Sequence, residues 1–248
     1  MLNLWCDGGH RARENMRRDA ALLAAAEDGA APVLRLFCFD PPGLTLGHAQ
    51  DPAAELDLEA CERDGVEWAV RPTGGRAIFH EHEWTYAFAS AADDPEWGGD
   101  LAVAYEKVSR LVRDSLADLG VPVAFAGGHR GRLEGDRASA ACFASTARHE
   151  LVVAGRKLAG SAQRRTSRAY LQQGSVLLGP GHLRLAEFLA LPDARRAAAR
   201  DALARSATDA GAWIPPATPL GRWADAIERV RPGVHRENGD AGRRWLTL

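Results

Sequence analysis

Two side chains capable of covalent or proton chemistry fall within one short stretch of this 248-residue chain: Cys142 and Lys157. A thiolate is a strong nucleophile. A nearby cation raises the thiolate fraction by lowering the thiol pKa. Of the 31 Lys and Arg residues, only Lys107 and Lys157 are lysines. An arginine keeps its proton in a protein, whereas a lysine can release it. Lys157, next to Arg156, can therefore do a job that arginine cannot. By residue type alone, a cysteine beside a strand is a small buried hydrophobe. Cys142 becomes a candidate only through its context. That context is strand-like: Glu150-Leu-Val-Val153, an Ala154-Gly155 turn, the alternating Lys157 to Gln163 with Gly160 inside it, and the run Tyr170 to Leu178.

A second candidate is Arg71-Pro-Thr-Gly-Gly-Arg-Ala-Ile-Phe-His80. A strand leads into a Gly74-Gly75 loop flanked by Arg71 and Arg76. Backbone N–H groups in such loops bind anions, and arginine grips phosphate or carboxylate with two donors. The plain alternative is a hairpin turn between two strands. His80 and His82 are two apart, but no third ligand appears at metal-site spacing, so no metal centre is expected. The chain has no GxGxxG fingerprint, P-loop or GxSxG elbow.

The elements that must position these residues follow in order. Asn15 to Ala26 reads as a helix capped by Asn15 and closed by Gly29. Val33 to Phe39 reads as a buried strand, Leu44 to Gly47 as a short one, Leu56 to Asp64 as a helix and Val66 to Val70 as a strand. Trp84 to Ser90 alternates like a half-buried strand. Leu101 to Leu119 is the clearest amphipathic helix, with Gly120 as its stop. Val121 to Ala126 reads as a strand, and the Gly- and Arg-rich run Gly127 to Ser139 as a loop. After Pro180 come helices over Leu183 to Leu191, Ala194 to Ser206 and Leu220 to Val230, and then a polar tail from Arg231. The predicted class is α+β, a mixed α/β domain with a largely antiparallel sheet flanked by helices. Residues 1–180 are expected to form the core and residues 181–248 a helical extension of the same domain.

Composition narrows the function. The chain is 46% hydrophobic and 26% charged, with a net charge of −2. That is an ordinary globular balance, without the basic footprint of a nucleic-acid binder. No apolar run approaches the ~20 residues that span a bilayer, and no signal-peptide pattern opens the chain. Cys6, Cys38, Cys61 and Cys142 show no metal or disulfide spacing, which fits free thiols and a cytoplasmic location.

Four segments together carry a resemblance. Arg71 to His80 resembles the RRxxGGGAVxH loop of the lipoate/biotin protein ligase superfamily. Gly155-Arg-Lys-Leu-Ala-Gly-Ser-Ala-Gln163 resembles its GRKxxGSAQ segment. Asn15-Met-Arg-Arg-Asp-Ala-Ala-Leu-Leu23 resembles its NMxxDExLL helix, and Val33 to Gln50 its first strand pair. The segments keep the family's order over residues 13 to 180. Within the superfamily, Cys142-Phe-Ala-Ser-Thr-Ala-Arg-His-Glu-Leu-Val-Val153 is similar to the Cys-Phe and Glu-Leu-Val-Val pattern of Gram-positive-type octanoyltransferases. ATP-dependent ligases typically carry Arg-Asn-Asp before that strand, where this chain has Arg148-His149-Glu150. Two positions depart from the family: Gln173 stands where a histidine is usual, and Ala20 where an acid is.

The resemblance implies the lipoate/biotin ligase catalytic-domain fold, with the acyl chain in a narrow apolar slot. It implies Cys142 as the acyl-accepting nucleophile and Lys157 as its partner. Arg71, Gly74, Gly75, Arg76, His80, Gly160, Ser161, Ala162, Gln173 and Gly174 are the expected substrate-binding residues. The implied donor is octanoyl-acyl carrier protein. The implied acceptor is a lysine of a lipoyl domain or of glycine-cleavage H protein. No cofactor and no metal are implied, because a thioester donor is already activated. The ligase alternative would use ATP and Mg2+. Two further alternatives stay open: a Cys-dependent amidotransferase between proteins, and a non-catalytic binder of acylated proteins.

Overall fold

The structure, a computed structural model, describes residues 1–126 and 150–246. Cys142 and the loop expected over Gly127 to Ser139 lie outside the described residues. Among the described residues, eight strands form one sheet in the order β11-β1-β2-β6-β10-β9-β8-β7. These are β1 (Asn3–His10), β2 (Val33–Phe39), β6 (Glu83–Ala91), β7 (Ala124–Phe125), β8 (Leu151–Val153), β9 (Arg156–Arg165), β10 (Ala169–Leu177) and β11 (His235–Asn238). The pairs β11–β1 and β1–β2 are parallel, and the remaining pairs are antiparallel. A second sheet runs β4-β3-β5, from β3 (Gly43–Leu46), β4 (Glu67–Val70) and β5 (Ile78–His80).

The alternation in β6 has a different meaning from the expected half-buried strand. Both of its faces are buried. Trp84, Tyr86 and Phe88 pack under α4 (Leu101–Asp118) and α6 (Leu220–Val230), where Val108, Val112, Leu116, Trp223 and Ile227 complete the largest core. Thr85, Ala87 and Ala89 point the other way, toward α1 (Ala12–Glu27). The period of two therefore separates large from small side chains. The small face leaves room between the main sheet and the second sheet. Leu44, Leu46 and Phe79 of the second sheet pack with Leu177, Phe188 and Leu203.

Several local expectations are corrected. Helix α1 begins at Ala12, so Asn15 lies inside it and is no cap. The Asn15 amide is fully buried and donates to His10 O at 2.9 Å and Cys38 O at 3.1 Å. The expected helix over Leu56 to Asp64 is α3 (Leu58–Arg63), preceded by the single turn α2 (Pro52–Glu55). Pro180–Phe188 is a 3-10 helix, followed by α5 (Asp193–Ser206). The polar tail contributes β11, parallel to β1, then a 3-10 turn over Gly239–Leu246. Strand β1 was not foreseen. Gly8 at φ +87 absorbs a bulge where the β1–β2 register shifts.

Gly74-Gly75 is not a hairpin turn. Strands β4 and β5 flank β3 on opposite sides, so residues 71–77 cross over the end of β3. The crossing is tight: a Cβ on Gly47 would lie 2.0 Å from Gly75 O. Gly47→Ala must push this loop outward. The expected cost is about 1–3 kcal/mol, as for other overpacked sites. A chemical-denaturation midpoint unchanged from the parent would overturn that account of the crossing.

The acyl-slot candidate and the buried polar rows around it

A slot opens between the two sheets. Its main-sheet wall is made of small groups from adjacent strands: Thr85, Ser175, Gly160 and Ala162. Met16 of α1, Phe39 and Ile78 supply apolar surface, and Thr45, Arg71 and His80 close the side of the second sheet.

Of the expected substrate-binding residues, Arg71, His80, Gly160, Ser161, Ala162, Gln173 and Gly174 meet in this slot. Ser161 contributes backbone only. Its hydroxyl lies 2.6 Å from Tyr86 Oη, on the opposite face of the sheet. Gly174 sits between these two groups, and a Cβ there would lie 2.5 Å from the Tyr86 ring. Gly74, Gly75 and Arg76 do not line the slot, but they are held against it by Arg71. The Arg71 guanidinium donates to Gly74 O through Nε at 3.1 Å and Nη2 at 2.8 Å, and to Arg76 O at 2.8 Å. Nη1 donates to the Thr45 carbonyl and hydroxyl at 3.3 and 3.2 Å. Arg71 thus organises the crossing loop instead of offering an open fork to an anion.

Gln173, the family's usual histidine position, is fixed on both sides. Asp19 Oδ2 can only accept when ionised, so the Gln173 Nε2 faces it, at 2.5 Å. The Gln173 carbonyl oxygen then accepts from the Thr73 hydroxyl at 2.7 Å. Asp19 is fully buried and pairs with Arg35, whose Nη1 lies 2.6 Å away. Burial pushes the Asp19 carboxyl up, against the opposing pull of Arg35. Arg35, also fully buried, reaches Asp7 Oδ2 at 2.7 Å, and Asp7 receives Arg18 Nη1 at 2.5 Å. One polar row, charged from Asp7 through Arg35 to Asp19, therefore runs on through Gln173 and Thr73 to the crossing loop.

A second polar row meets the slot at His80. Glu83 Oε1 accepts from Thr85 at 2.6 Å and Ser175 at 3.0 Å, and lies 2.5 Å from His80 Nδ1. As a carboxylate it accepts, so Nδ1 carries a hydrogen. His80 Nε2 is then the acceptor for the Thr45 hydroxyl at 2.7 Å, whose oxygen takes the Arg71 Nη1 donor. The His80 ring stacks on Phe39 with centroids 3.8 Å apart. His82 sits in an exposed turn at φ 53, so the two histidines do not share a face. Among the described residues, no group of three or more His, Cys, Asp or Glu could hold a metal ion.

Lys157 is not among the residues that line the slot. It is buried at 1% exposure near the start of β9 and forms an ion pair with Glu150. The β8–β9 hairpin that places it turns through Ala154 and Gly155, both at positive φ (49° and 75°), as a two-residue turn between twisted strands requires. The register skips Leu158, leaving a bulge beside Lys157. Glu150 is the first described residue after the segment containing Cys142.

The family model for the lipoyl protein ligase A/B catalytic domain matches residues 11–209. The chain belongs to this family. It is 38% identical over 240 residues to the octanoyltransferase LipM of Symbiobacterium thermophilum, covering 94% of this chain and 85% of that protein. It is 40% identical over 166 residues to the octanoyltransferase LipM of Carboxydothermus hydrogenoformans, covering 66% of this chain and 60% of that protein. Among solved structures, one from a study of a bi-partite lipoate protein ligase and its E2 lipoyl domain from Thermoplasma acidophilum superposes with a TM-score of 0.70 at 18% identity. That match covers 95% of this chain and 86% of the other. Lipoate-protein ligase A bound with ATP gives 0.68 at 18%, covering 96% and 89%. These structures share the fold, a mixed sheet flanked by helices. Among the described residues, no helix is long and apolar enough to cross a membrane.

Proposed function

We propose that this member of the lipoyl protein ligase A/B family is an octanoyltransferase. It moves an octanoyl group from acyl carrier protein to a lysine of a lipoyl domain or glycine-cleavage H protein, as a step of lipoate assembly in the cytoplasm. The similarity to an octanoyltransferase across 94% of the chain carries this reading. The Cys142-Phe and Glu150-Leu-Val-Val153 pattern supports it, as does a slot whose apolar walls suit an unbranched chain. The catalytic core of residues 1–180 and the extension of residues 181–248 act as one domain, since α6 completes the main core and β11 the main sheet.

The reaction has two steps. Cys142 thiolate attacks the donor thioester, and the carrier sulfur leaves. The acceptor amine then attacks the octanoyl-Cys142 thioester and forms an amide. Exchange between thioesters is nearly neutral in energy and the amide is lower, so neither ATP nor Mg2+ is needed. Lys157 holds positive charge near the thiolate and, through its pair with Glu150, anchors the end of the segment that carries Cys142. Backbone N–H groups around Gly160, Ser161 and Ala162 receive the oxyanion, an interaction typically worth about 3 kcal/mol per donor. Arg71, with Gly74, Gly75 and Arg76, shapes the loop over the slot, and Gln173 and Gly174 complete the wall.

Intact-protein mass spectrometry tests the reading. The chain is mixed with octanoyl carrier protein without ATP. An octanoyl adduct that maps to Cys142, and is cleared by an apo acceptor domain, is the expected result. Acceptor modification that requires ATP and a free acid would make the chain a ligase.

A further inference from the structure

The polar side chains that line the slot keep their hydrogens out of it. Arg71 gives its own to Gly74 O, Arg76 O and Thr45. Gln173 donates to Asp19, and the Ser161 hydroxyl meets Tyr86 on the other face of the sheet. The remaining donors are Thr45, His80, Thr85 and Ser175. They are held, directly or through His80, by one residue that does not itself line the slot, Glu83.

Strand geometry puts Glu83 in place for this. It lies two residues before Thr85 on β6, and so on the same face. The β6–β10 register sets Ser175 opposite Thr85. Glu83 Oε1 then accepts from Thr85 at 2.6 Å, from Ser175 at 3.0 Å and from His80 Nδ1 at 2.5 Å. With that hydrogen on Nδ1, Nε2 is left as the acceptor that draws in the Thr45 hydroxyl at 2.7 Å. All four hydrogens thus depend on one carboxylate oxygen. The other, Oε2, is buried and has no hydrogen-bond partner among the described residues.

We propose that Glu83 is a positioning residue that makes the slot selective for a plain hydrocarbon chain, by withdrawing these hydrogens from its wall. The inference rests on the reading above, in which the slot holds the acyl chain. The slot is open, and a chain that fills it displaces any water there. A keto oxygen on that chain then depends on a donor from the wall, and no side-chain donor is free. The backbone N–H groups around Gly160 are left, on the same reading, for the reacting carbonyl. Stranding a buried acceptor weakens binding about 10- to 100-fold. A saturated chain carries no such group and loses nothing.

Competition between donors reads this selectivity. Octanoyl carrier protein is mixed in equal amount with its 5-oxooctanoyl or 7-oxooctanoyl form, whose keto group is too far from the thioester to change its reactivity. Apo H protein is the acceptor, and mass spectrometry gives the ratio of acylated products. That ratio does not depend on how much of a variant is folded. The unaltered chain should favour octanoyl about 10- to 100-fold. Glu83→Met frees the donors and should cut the preference about tenfold, at one keto position more than the other. Glu83→Gln should keep it, because its amide oxygen can replace Oε1 and its nitrogen Oε2, which faces no donor. Three results would each overturn the proposal: equal use of keto and plain chains by the unaltered chain, an unchanged ratio in Glu83→Met, or a Glu83→Gln variant that behaves like Glu83→Met. If Glu83→Met does not fold, Glu83→Asp decides in the same direction, its carboxylate being drawn back by one methylene. If octanoyl carrier protein acylates nothing, the transferase reading falls, and the same ratios are read with ATP and the free acids. No product from either source would remove the slot from acyl binding, and the proposal with it.

Discussion

Replacing Cys142 by alanine is expected to abolish octanoyl transfer while the chain stays folded. Removing a covalent nucleophile typically costs at least about 10⁴-fold in turnover. No described cysteine can take its place. Burial pushes the Cys6 thiol up to about 11, against a partial opposing pull from Arg236. The Cys61 thiol is likewise pushed up to about 11 by burial, with Asp57 and Asp64 adding to the shift. Burial also raises Cys38, helped by Glu83 and Asp40. A thiol with a pKa near 11 is about one part in 10⁴ thiolate at pH 7. In an alkylation time course at neutral pH, Cys142 should therefore be modified well before the other three. The check is acceptor octanoylation by the alanine variant, with circular dichroism to confirm the fold. Transfer at the parent rate would remove the thioester from the mechanism.

Arg35→Met is expected to cost about 3–5 kcal/mol of folding stability, the range for breaking a buried ion pair from one side. Arg35 is fully buried between Asp7 and Asp19, and its Nη2 also donates to Asn15 Oδ1 at 2.6 Å. Methionine fills much of the volume but strands the Asp19 carboxylate without its cation and leaves Asp7 with Arg18 alone among the arginines. The sign of the pH dependence follows from Asp19. Its folded pKa is already raised by burial, and Arg35 is the leading influence that lowers it. Without Arg35 it rises further. A group with a raised folded pKa favours the fold below its unfolded pKa and loses that benefit as pH rises through the folded value. The deficit of the variant should thus be largest at neutral pH and shrink on acidification. Urea denaturation at pH 7 and pH 5 measures this. A pH-independent deficit would mean that lost packing, not stranded charge, sets the cost.

The sequence carried the elements whose pattern is local. The two-residue turn at Ala154-Gly155, the strand Val33 to Phe39 and the helix closed by Gly120 all appear as read, because turn chemistry and periodicity lie within a few residues. Of the expected substrate-binding residues, Arg71, His80, Gly160, Ser161, Ala162, Gln173 and Gly174 line one slot, and Gly74, Gly75 and Arg76 do not. What stayed hidden depends on partners distant in the chain. Glu83 follows two polar residues in the sequence, yet it is buried on Thr85, Ser175 and His80. Arg35 was itself a signal: an arginine inside an apolar strand requires buried carboxylates, and Asp7 and Asp19 supply them from 28 and 16 residues away. Arg71 looked like an anion grip because side-chain type says nothing about which donors the backbone will claim. The β4–β5 crossing, read as a possible hairpin, is set by β3 lying between the two strands.

The pairing of β11 with β1 has a consequence for synthesis on the ribosome. Leu4 aligns with Arg236 and Trp5 with Glu237, so β1 emerges more than 200 residues before the strand that covers it. Throughout that interval its outer edge, with Leu4 and Trp5 on its faces, is an open template for another nascent chain. The early fold therefore has to be sheltered, by a chaperone or by slow commitment of β1 to the sheet. Yield in cells should depend on chaperone supply more steeply than the stability of the finished protein would suggest.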